Sequence, residues 1–317
     1  MDAVTLPADA PAPCSVSALV EPLPGTAPAR AVWALIEHAG PWGRDAVLDA
    51  PWPAQPEGFA ARLAQATDDA GVRVVLARRF RSRHDGVPAR PLVVLSRVGP
   101  GGWTAARRLR EPAELLDLDW AGLTEAAFAP GGWDDAGPLW GVCTHGTRDA
   151  CCARLGRPLA EALSALDPDH TWEISHSGGH RFAGTVTTWP EGMAYGRVTP
   201  DHVDRLVATR RRGEVAIDLA RGRCDLSPAD QAGELAVRAA LGEARLSALV
   251  AEPALDAIVR DGATVLSRWR HRPGDGSAET VWQVELTRTE LPEHPASCGK
   301  GPEPAWAWLP GPVLRVH

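Results

Sequence analysis

Short apolar runs alternate with helical patterns through the first part of the chain. "WALIEH", from residue 33, is a short apolar run followed by a Gly/Pro break, which predicts a strand. Residues 57–71 carry apolar side chains at helical spacing and end in glycine, which predicts a helix. Two β-branched runs, 72–79 and 91–98, predict a hairpin, and residues 112–128 predict a further helix.

A second stretch repeats this order of elements. "LWGVCTH" predicts a strand, "DACCARLGRPLAEALSAL" a helix, and three short apolar segments further strands before a helix that begins at Thr199. Trp33 aligns with Trp140, and Ile36 stands where the second stretch has Cys143. We interpret this as a tandem βαβββα duplication in which only the second copy keeps metal ligands. Chance similarity between two α/β units is the alternative.

The remaining third of the chain has a weaker pattern. Ser227 and Pro228 predict the start of a helix, and "ATVLSRWRHR" and "TVWQVELTRT" predict a hairpin before a Pro/Gly-rich loop. The chain is therefore predicted to be α/β, with a first unit, a second unit of the same order and an α+β extension after them. The predicted divisions are a flexible tail (1–13), the degenerate first unit (14–135), the second unit (136–225) and the C-terminal helix, hairpin and loop (226–317).

Composition limits the classes of function. With 33 Lys and Arg against 40 Asp and Glu, the net charge is −7, which argues against a nucleic-acid partner. No apolar run has the length of a membrane span, and the first residues lack the pattern of a signal peptide. We therefore expect a soluble cytoplasmic protein with reduced thiols that serve as ligands or as small buried side chains.

The cysteines and histidines point to a metal centre. Three of the six cysteines lie in "VCTHGTRDACCARLG", and "ISHSGGHRFAG" adds two histidines across a glycine pair. A glycine pair disfavours a helix, so these imidazoles lie on a loop whose backbone can approach something bulky. Eight residues separate Cys143 from Cys152, and seven separate Cys143 from Cys151. Structural zinc sites usually have about two to four, so the wide loop favours a two-iron cluster.

The pattern C-x8-C followed by H-x3-H resembles thioredoxin-like [2Fe-2S] ferredoxins, with histidine in place of the second cysteine pair. Together with "EPLPGTAP", "EHAGPWG" and "SCGKG", it resembles the sucrase/ferredoxin-like family, which includes fungal actin-patch-distribution proteins. The resemblance covers most of the chain and implies that 136–225 is a thioredoxin-like ferredoxin domain, preceded by a degenerate thioredoxin-like α/β unit. It also implies a [2Fe-2S] cluster bound by Cys143, Cys152, His176 and His180. The family has arginine where this chain has Cys151, so Cys151 is an alternative ligand to the Cys152 that we favour.

This ligand set predicts a Rieske-like one-electron carrier. Neutral imidazoles in place of thiolates make the cluster less negative and raise its potential, from about −400 mV in plant-type ferredoxins to roughly −150 to +300 mV in Rieske centres. Each ligating imidazole keeps a second nitrogen, so electron and proton uptake are coupled. No G-x-G-x-x-G follows a strand, so we expect a separate reductase and acceptor rather than a stand-alone enzyme.

Several neighbours are candidates for the surroundings of the cluster. His145 is either a hydrogen-bond partner of the ligands or an ordinary buried histidine. Arg148 and Asp149 are expected to brace the loop as an ion pair or to cap the helix. Arg181 is expected to donate to a sulfide or face solvent, and Gly178 with Gly179 to admit the cofactor.

The other cysteines carry no predicted chemistry. Cys14, Cys224 and Cys298 are far apart in sequence, so we interpret them as structural, and Cys151 as a small buried helix residue.

Other functions remain as alternatives. A Cys2His2 zinc site in an interaction module uses the same donors without redox chemistry. A hydrolase is disfavoured because the chain has no paired-carboxylate motif for glycoside hydrolysis and no G-x-S-x-G. A thiol-disulfide enzyme is disfavoured because there is no C-x-x-C.

Overall fold

The structure, a computed structural model, describes residues 12–80, 88–252 and 263–316. Most of the predicted tail, 1–11, therefore lies outside the described residues. The helices are α1 (Cys14–Ser17), α2 (Phe59–Asp69), α3 (Trp120–Glu125), α4 (Ala150–Leu166), α5 (Val203–Arg211) and α6 (Pro228–Leu241). The strands are β1 (Val32–Glu37), β2 (Val72–Arg78), β3 (Leu92–Arg97), β4 (Trp103–Arg108), β5 (Asp134–Asp135), β6 (Leu139–Cys143), β7 (Thr171–Ile174), β8 (Val186–Trp189), β9 (Met193–Tyr195), β10 (Ala220–Arg223), β11 (Leu249–Glu252), β12 (Thr264–His271), β13 (Thr280–His294), β14 (Glu303–Pro310) and β15 (Leu314–Arg315).

Ten of these strands form one sheet in the order β10-β9-β8-β6-β7-β2-β1-β3-β4-β5. In the central part of the chain β6 pairs with β7 in parallel and with β8 antiparallel, and β9 joins β8 antiparallel. The chain order β6-α4-β7-β8-β9-α5, with these directions, is that of a thioredoxin-like fold. The predicted α/β fold class is confirmed.

The first part of the chain has the same topology. β1 pairs with β2 in parallel and with β3 antiparallel, and β4 joins β3 antiparallel. The predicted hairpin between residues 72–79 and 91–98 is wrong, because β1 lies between the two strands. Two neighbouring β-branched runs satisfy the hairpin pattern, but a parallel partner far back in sequence competes for the same edge. The two units meet where β2 pairs antiparallel with β7.

A shared core lies between the two units. Trp33 of the first unit packs edge-to-face on Trp189 of the second, with ring centroids 5.5 Å apart. Arg78 of β2 donates to Glu173 of β7 at 2.6 Å, and both side chains are buried at the junction. The same core contains Cys143 and Cys152, so the packing that joins the units also surrounds these thiols.

The C-terminal strands form a second sheet, ordered β11-β12-β13-β14, against which α6 packs. The predicted Pro/Gly-rich loop at the end of the chain is wrong in part, because β13 continues to His294 and β14 spans Glu303–Pro310. Proline is tolerated in β14 because this strand is the last in the order of the second sheet and so has one unpaired edge. The Arg288 guanidinium lies 4.7 Å from the Trp306 ring centroid across the pair.

Residues 112–128 do not form the single predicted helix. A 3-10 turn over Pro112–Asp117 precedes α3, and the Asp119 carboxylate caps α3 by accepting from the Gly122 amide at 2.9 Å. An N-cap inside the apolar pattern therefore divides it into two elements.

Helix α4 places the second cysteine against β6. The Asp149 carboxylate caps α4 by accepting from the Cys151 amide at 2.9 Å. Leu159 and Leu163 lie on the buried face of the helix. At Gly156 the helix approaches the strand so closely that a Cβ would lie 2.1 Å from the Cys143 carbonyl oxygen. Among the described residues, no helix combines the length and apolar character needed to cross a membrane.

We expect Gly156→Ala to destabilise the fold. Alanine normally stabilises a helix by about 1 kcal/mol relative to glycine, but here the new methyl overlaps the Cys143 carbonyl. The overlap should reverse the sign and lower the free energy of unfolding by about 1–3 kcal/mol. Chemical unfolding measures the change, with Arg157→Ala at the next, exposed position of α4 as the control. Equal or greater stability of Gly156→Ala would contradict this packing.

Candidate metal centre

Two thiols meet where β6 ends and α4 begins. Cys143 is the last residue of β6, and Cys152 lies in the first turn of α4. Both are about 1% exposed. The tight approach of α4 to β6 at Gly156 brings the strand end and the helix start together, so the wide spacing in sequence becomes a narrow spacing between sulfurs.

An imidazole from the loop after β7 joins these thiols. His176 Nδ1 lies 4.0 Å from Cys143 Sγ and 3.9 Å from Cys152 Sγ. These three ligand atoms lie within 4.8 Å of one another. Thiolate and imidazole are both ligands for iron and zinc, so the group has the chemistry of a metal centre.

His180 lies on the other side of the His176 ring from the two sulfurs. Its Nδ1 is 3.4 Å from His176 Nε2, and its Nε2 is 3.9 Å from the Asp149 carboxylate. The His180 side chain is 14% exposed, whereas the two thiols are enclosed. Its Nε2 is buried without a hydrogen-bond partner among the described residues. Burial and the neighbouring His176 hold the pKa of His180 below its ordinary value.

The two thiols have opposite pKa shifts. A hydrogen bond from the Cys152 thiol holds the pKa of Cys143 well below the ordinary cysteine value, and His176 adds to this effect. The same interaction raises the pKa of Cys152. Because the thiolate is the form that binds metals, this contact favours Cys143 as a ligand.

His145 fixes the backbone that carries His176. Its Nδ1 accepts from the His176 amide at 3.1 Å, and its Nε2–H donates to the Gly43 carbonyl at 2.6 Å. Burial lowers the pKa of His145 and favours this neutral form. Arg73 of β2 also donates to the His176 carbonyl at 2.8 Å. The first unit therefore positions the histidine loop of the second.

The glycine pair gives that loop its shape. Gly178 and Gly179 have φ values of 113° and 79°, which disfavour other residues. A Cβ on Gly179 would lie 2.2 Å from Arg221, whose guanidinium donates to the Gly178 carbonyl at 3.0 Å. The missing side chain of Gly179 admits a buried arginine, and a Cβ on Gly178 would lie 3.3 Å from Pro28. That the glycine pair also admits a cofactor stays a prediction.

A model of the sucrase/ferredoxin-like family matches residues 23–222, which make up more than half of the chain. The chain belongs to the sucrase/ferredoxin-like family. The match covers both thioredoxin-like units and the loops that carry all four predicted ligands.

Two fungal proteins are similar over a shorter stretch. "Altered inheritance of mitochondria protein 32" from Meyerozyma guilliermondii is 35% identical over 92 residues, which is 26% of this chain and 33% of the relative. The protein of the same name from Candida glabrata is 27% identical over 100 residues, 27% of this chain and 32% of the relative. This member of the family thus spans about a third of the length of the curated relatives it matches.

A solved structure, a variant of the thioredoxin-like [2Fe-2S] ferredoxin from Aquifex aeolicus, is 22% identical. It covers 26% of this chain and 96% of its own, with a TM-score of 0.24. At that score the alignment adds no argument. The thioredoxin-like description of this sucrase/ferredoxin-like chain rests on its own strand order and directions.

The remaining predicted site residues lie around the histidine loop. Arg148 lines a cleft beside His176, together with Arg30, Arg44 and Arg73. Arg181 donates to Glu21 at 2.6 Å through two nitrogens, so its guanidinium is held by a buried carboxylate rather than by solvent.

Of the adjacent cysteines in this family member, Cys152 approaches Cys143 and His176, whereas Cys151 does not. Cys151 Sγ instead lies 3.7 Å from Cys14 Sγ and 3.3 Å from Cys298 Sγ, beside the Asp149 carboxylate. Cys14 and Cys298, interpreted from the sequence as structural because they are far apart, lie beside other ligand atoms, and Cys151 is a buried helix residue as predicted. Their separation in sequence hid the contact, because the tertiary fold brings the three segments together. Cys224 lies outside both groups of potential ligands.

Gly179→Ala should be more destabilising than Gly213→Ala. Both glycines have positive φ, but only Gly179 faces an occupied space. The left-handed backbone should cost about 1 kcal/mol of unfolding free energy at either position, and the overlap with Arg221 about 1–3 kcal/mol more at Gly179. Chemical unfolding of both variants tests this difference, and equal losses would contradict the described packing of Arg221 on the loop.

Proposed function

We propose that the chain is a one-electron carrier with a Rieske-like [2Fe-2S] cluster bound by Cys143, Cys152, His176 and His180. One observation carries the proposal: two buried thiols and an imidazole nitrogen meet within 4.8 Å in a member of the sucrase/ferredoxin-like family. Family membership and the Cys/His groups support a metal-binding redox or structural role in general. The type of cluster and the electron-carrier activity are our proposal.

The residues fit such a cluster by donor chemistry. Two thiols and two imidazoles are the donor set of a Rieske centre, and the thiols are enclosed while the imidazoles are partly exposed. When bound, the cluster would supply one-electron chemistry at a potential raised by its neutral ligands. The more exposed imidazole side then faces a redox partner.

The imidazole pair provides a place for a proton. His176 Nε2 and His180 Nδ1 lie 3.4 Å apart, and His180 Nε2 points toward Asp149 at 3.9 Å. A nitrogen that is not bound to iron can gain a proton when the centre gains negative charge, so uptake of an electron is coupled to uptake of a proton. His145 keeps the loop in place during this change because both of its ring nitrogens are already hydrogen-bonded.

The cleft beside His176 favours a partner with negative charge. It has a volume of about 580 Å³, and its lining includes four arginines along with Asp45 and Asp68. In a chain of net charge −7, a local group of arginines attracts an acidic surface or an anion. We propose that the separate reductase or acceptor approaches here.

A second candidate function is a Cys2His2 zinc site in an interaction module. It is favoured by the compact spacing of the three donor atoms, since three donors within 4.8 Å can bind a single ion. His180, whose Nδ1 lies 3.4 Å from His176 Nε2, is outside this compact group. Zinc gives a colourless protein without redox activity, which distinguishes it from an iron-sulfur centre.

An anaerobic preparation of the full chain should be red-brown and contain two irons and two acid-labile sulfides at this site. After dithionite reduction it should give an EPR signal, because the reduced cluster has an unpaired electron. His176→Cys should keep the cluster and lower its potential by on the order of 100 mV, since a thiolate replaces a neutral ligand. Potentiometry followed by EPR measures the shift.

Cys224→Ser is the matched control for loss of a buried thiol. Burial raises the pKa of Cys224 to about 12, and the residue lies outside both donor groups, so this variant should keep its iron. Colourless protein with zinc bound through Cys143 and His176 would favour the second candidate. An unchanged potential in His176→Cys would remove His176 from the ligand set.

Arg44→Glu should slow oxidation of the reduced protein by ferricyanide by about tenfold at low salt, because it reverses a positive charge at the cleft. Oxidation by the cationic tris(phenanthroline)cobalt(III) should become faster. Stopped-flow absorbance measures both rates, and Arg288→Glu on the C-terminal sheet is the control. A fall in both rates, or equal effects of the two variants, would exclude the cleft as the site of electron exit.

A further inference from the structure

A second group of ligand atoms lies next to the proposed cluster site and shares none of its donors. The three sulfurs of Cys14, Cys151 and Cys298 form a triangle with sides of 3.7, 3.3 and 3.6 Å. Both oxygens of the Asp149 carboxylate lie 3.6 Å from Cys14 Sγ. All four residues offer ligand atoms within 4.8 Å of one another.

Three remote segments of the chain create this group. Cys14 begins α1, Cys151 lies in the first turn of α4, and Cys298 lies in the connection between β13 and β14. Cys14, Cys151 and Asp149 are buried, and Cys298 is partly exposed. A path from solvent to the group therefore exists on the Cys298 side.

The spacing of the sulfurs matches a single tetrahedral ion. With zinc–sulfur bonds of about 2.3 Å, the sulfurs of a tetrahedral site lie about 3.8 Å apart. A disulfide would join only two of the three thiols and would need a separation of about 2.05 Å. Thiolates bound to different irons of a cluster diverge from it, so mutual contact among all three sulfurs favours one ion.

Asp149 provides a suitable fourth ligand. Its Oδ1 accepts from the Cys151 amide at 2.9 Å, and its Oδ2 accepts from the Cys298 amide at 2.8 Å and the Ser297 hydroxyl at 3.0 Å. These bonds fix the orientation of the carboxylate and leave a lone pair on Oδ1 that can bind a cation. Such hydrogen bonds to a ligating side chain are typical of metal sites.

We infer that Cys14, Cys151 and Cys298, with Asp149, form a site for zinc or another thiophilic divalent cation. The ion would balance thiolate charge that is otherwise buried, and the N-terminal amides of α4 further favour that charge. Its role is to link the α1 segment and the β13–β14 connection to the helix that carries Cys152. This inference does not depend on the identity of the neighbouring redox centre.

Metal analysis of the full chain, purified anaerobically in the presence of zinc, tests the site. Wild-type protein should contain one zinc that Cys298→Ser loses, while its iron content is unchanged. Cys298 is the variant position of choice because it is the least buried of the three thiols. Cys298→His restores a zinc ligand and should regain the ion, and Cys224→Ser should keep it.

Cobalt(II) provides a second, spectroscopic readout of the same site. Protein expressed with cobalt should have intense thiolate-to-cobalt absorption in the near ultraviolet, which Cys298→Ser should reduce several-fold. Circular dichroism verifies that each variant is folded. Wild-type protein without zinc, zinc retained in both Cys298→Ser and Cys14→Ser, or a mass lower by two hydrogens from a disulfide would overturn the inference.

The result also separates this inference from the proposed function. Loss of one zinc in Cys298→Ser supports the second site whether the first centre holds iron or zinc. Changes confined to Cys143 or His176 variants concern only the first centre.

Discussion

The arrangement of the whole region depends on the first turn of α4. Successive residues of a helix point about 100° apart, so the adjacent Cys151 and Cys152 face different surroundings. Cys152 enters the core shared by the two thioredoxin-like units, while Cys151 turns toward the N-terminal segment and the C-terminal sheet. Asp149 caps this turn and approaches both groups, since its carboxylate lies 3.9 Å from His180 Nε2 and 3.6 Å from Cys14 Sγ.

The first unit lacks the ligands of the second but determines where one of them lies. Its Arg73 and Gly43 reach the His176 backbone, directly or through His145. The antiparallel junction of β2 with β7 brings these groups to the loop. Because the units pair edge to edge, the unit without ligands is part of the wall of the candidate metal centre, and its loss would remove support from the histidine loop.

Local patterns predicted most of the elements, and residue types predicted the first donor group. The strand β6, the helix α4 and the cap at Thr199 follow from apolar spacing and capping residues, which act over a few positions. Pairing partners do not follow from such patterns. The hairpin prediction failed because β1 lies between β2 and β3, and β14 was missed because proline at a sheet edge looks like loop. Cys14 and Cys298 were misjudged for the same reason: sequence distance says nothing about contacts that the completed fold creates.

The contact between Cys14 and Cys298 spans 284 positions of the chain. It can form only after the β13–β14 hairpin has left the ribosome and docked on the earlier units. Until then Cys14 and Cys151 lack their third neighbour and the cover that the β13–β14 connection provides. Folding of the last sheet is therefore also the step that encloses these thiols, and a nascent chain stalled before it would be especially sensitive to oxidation.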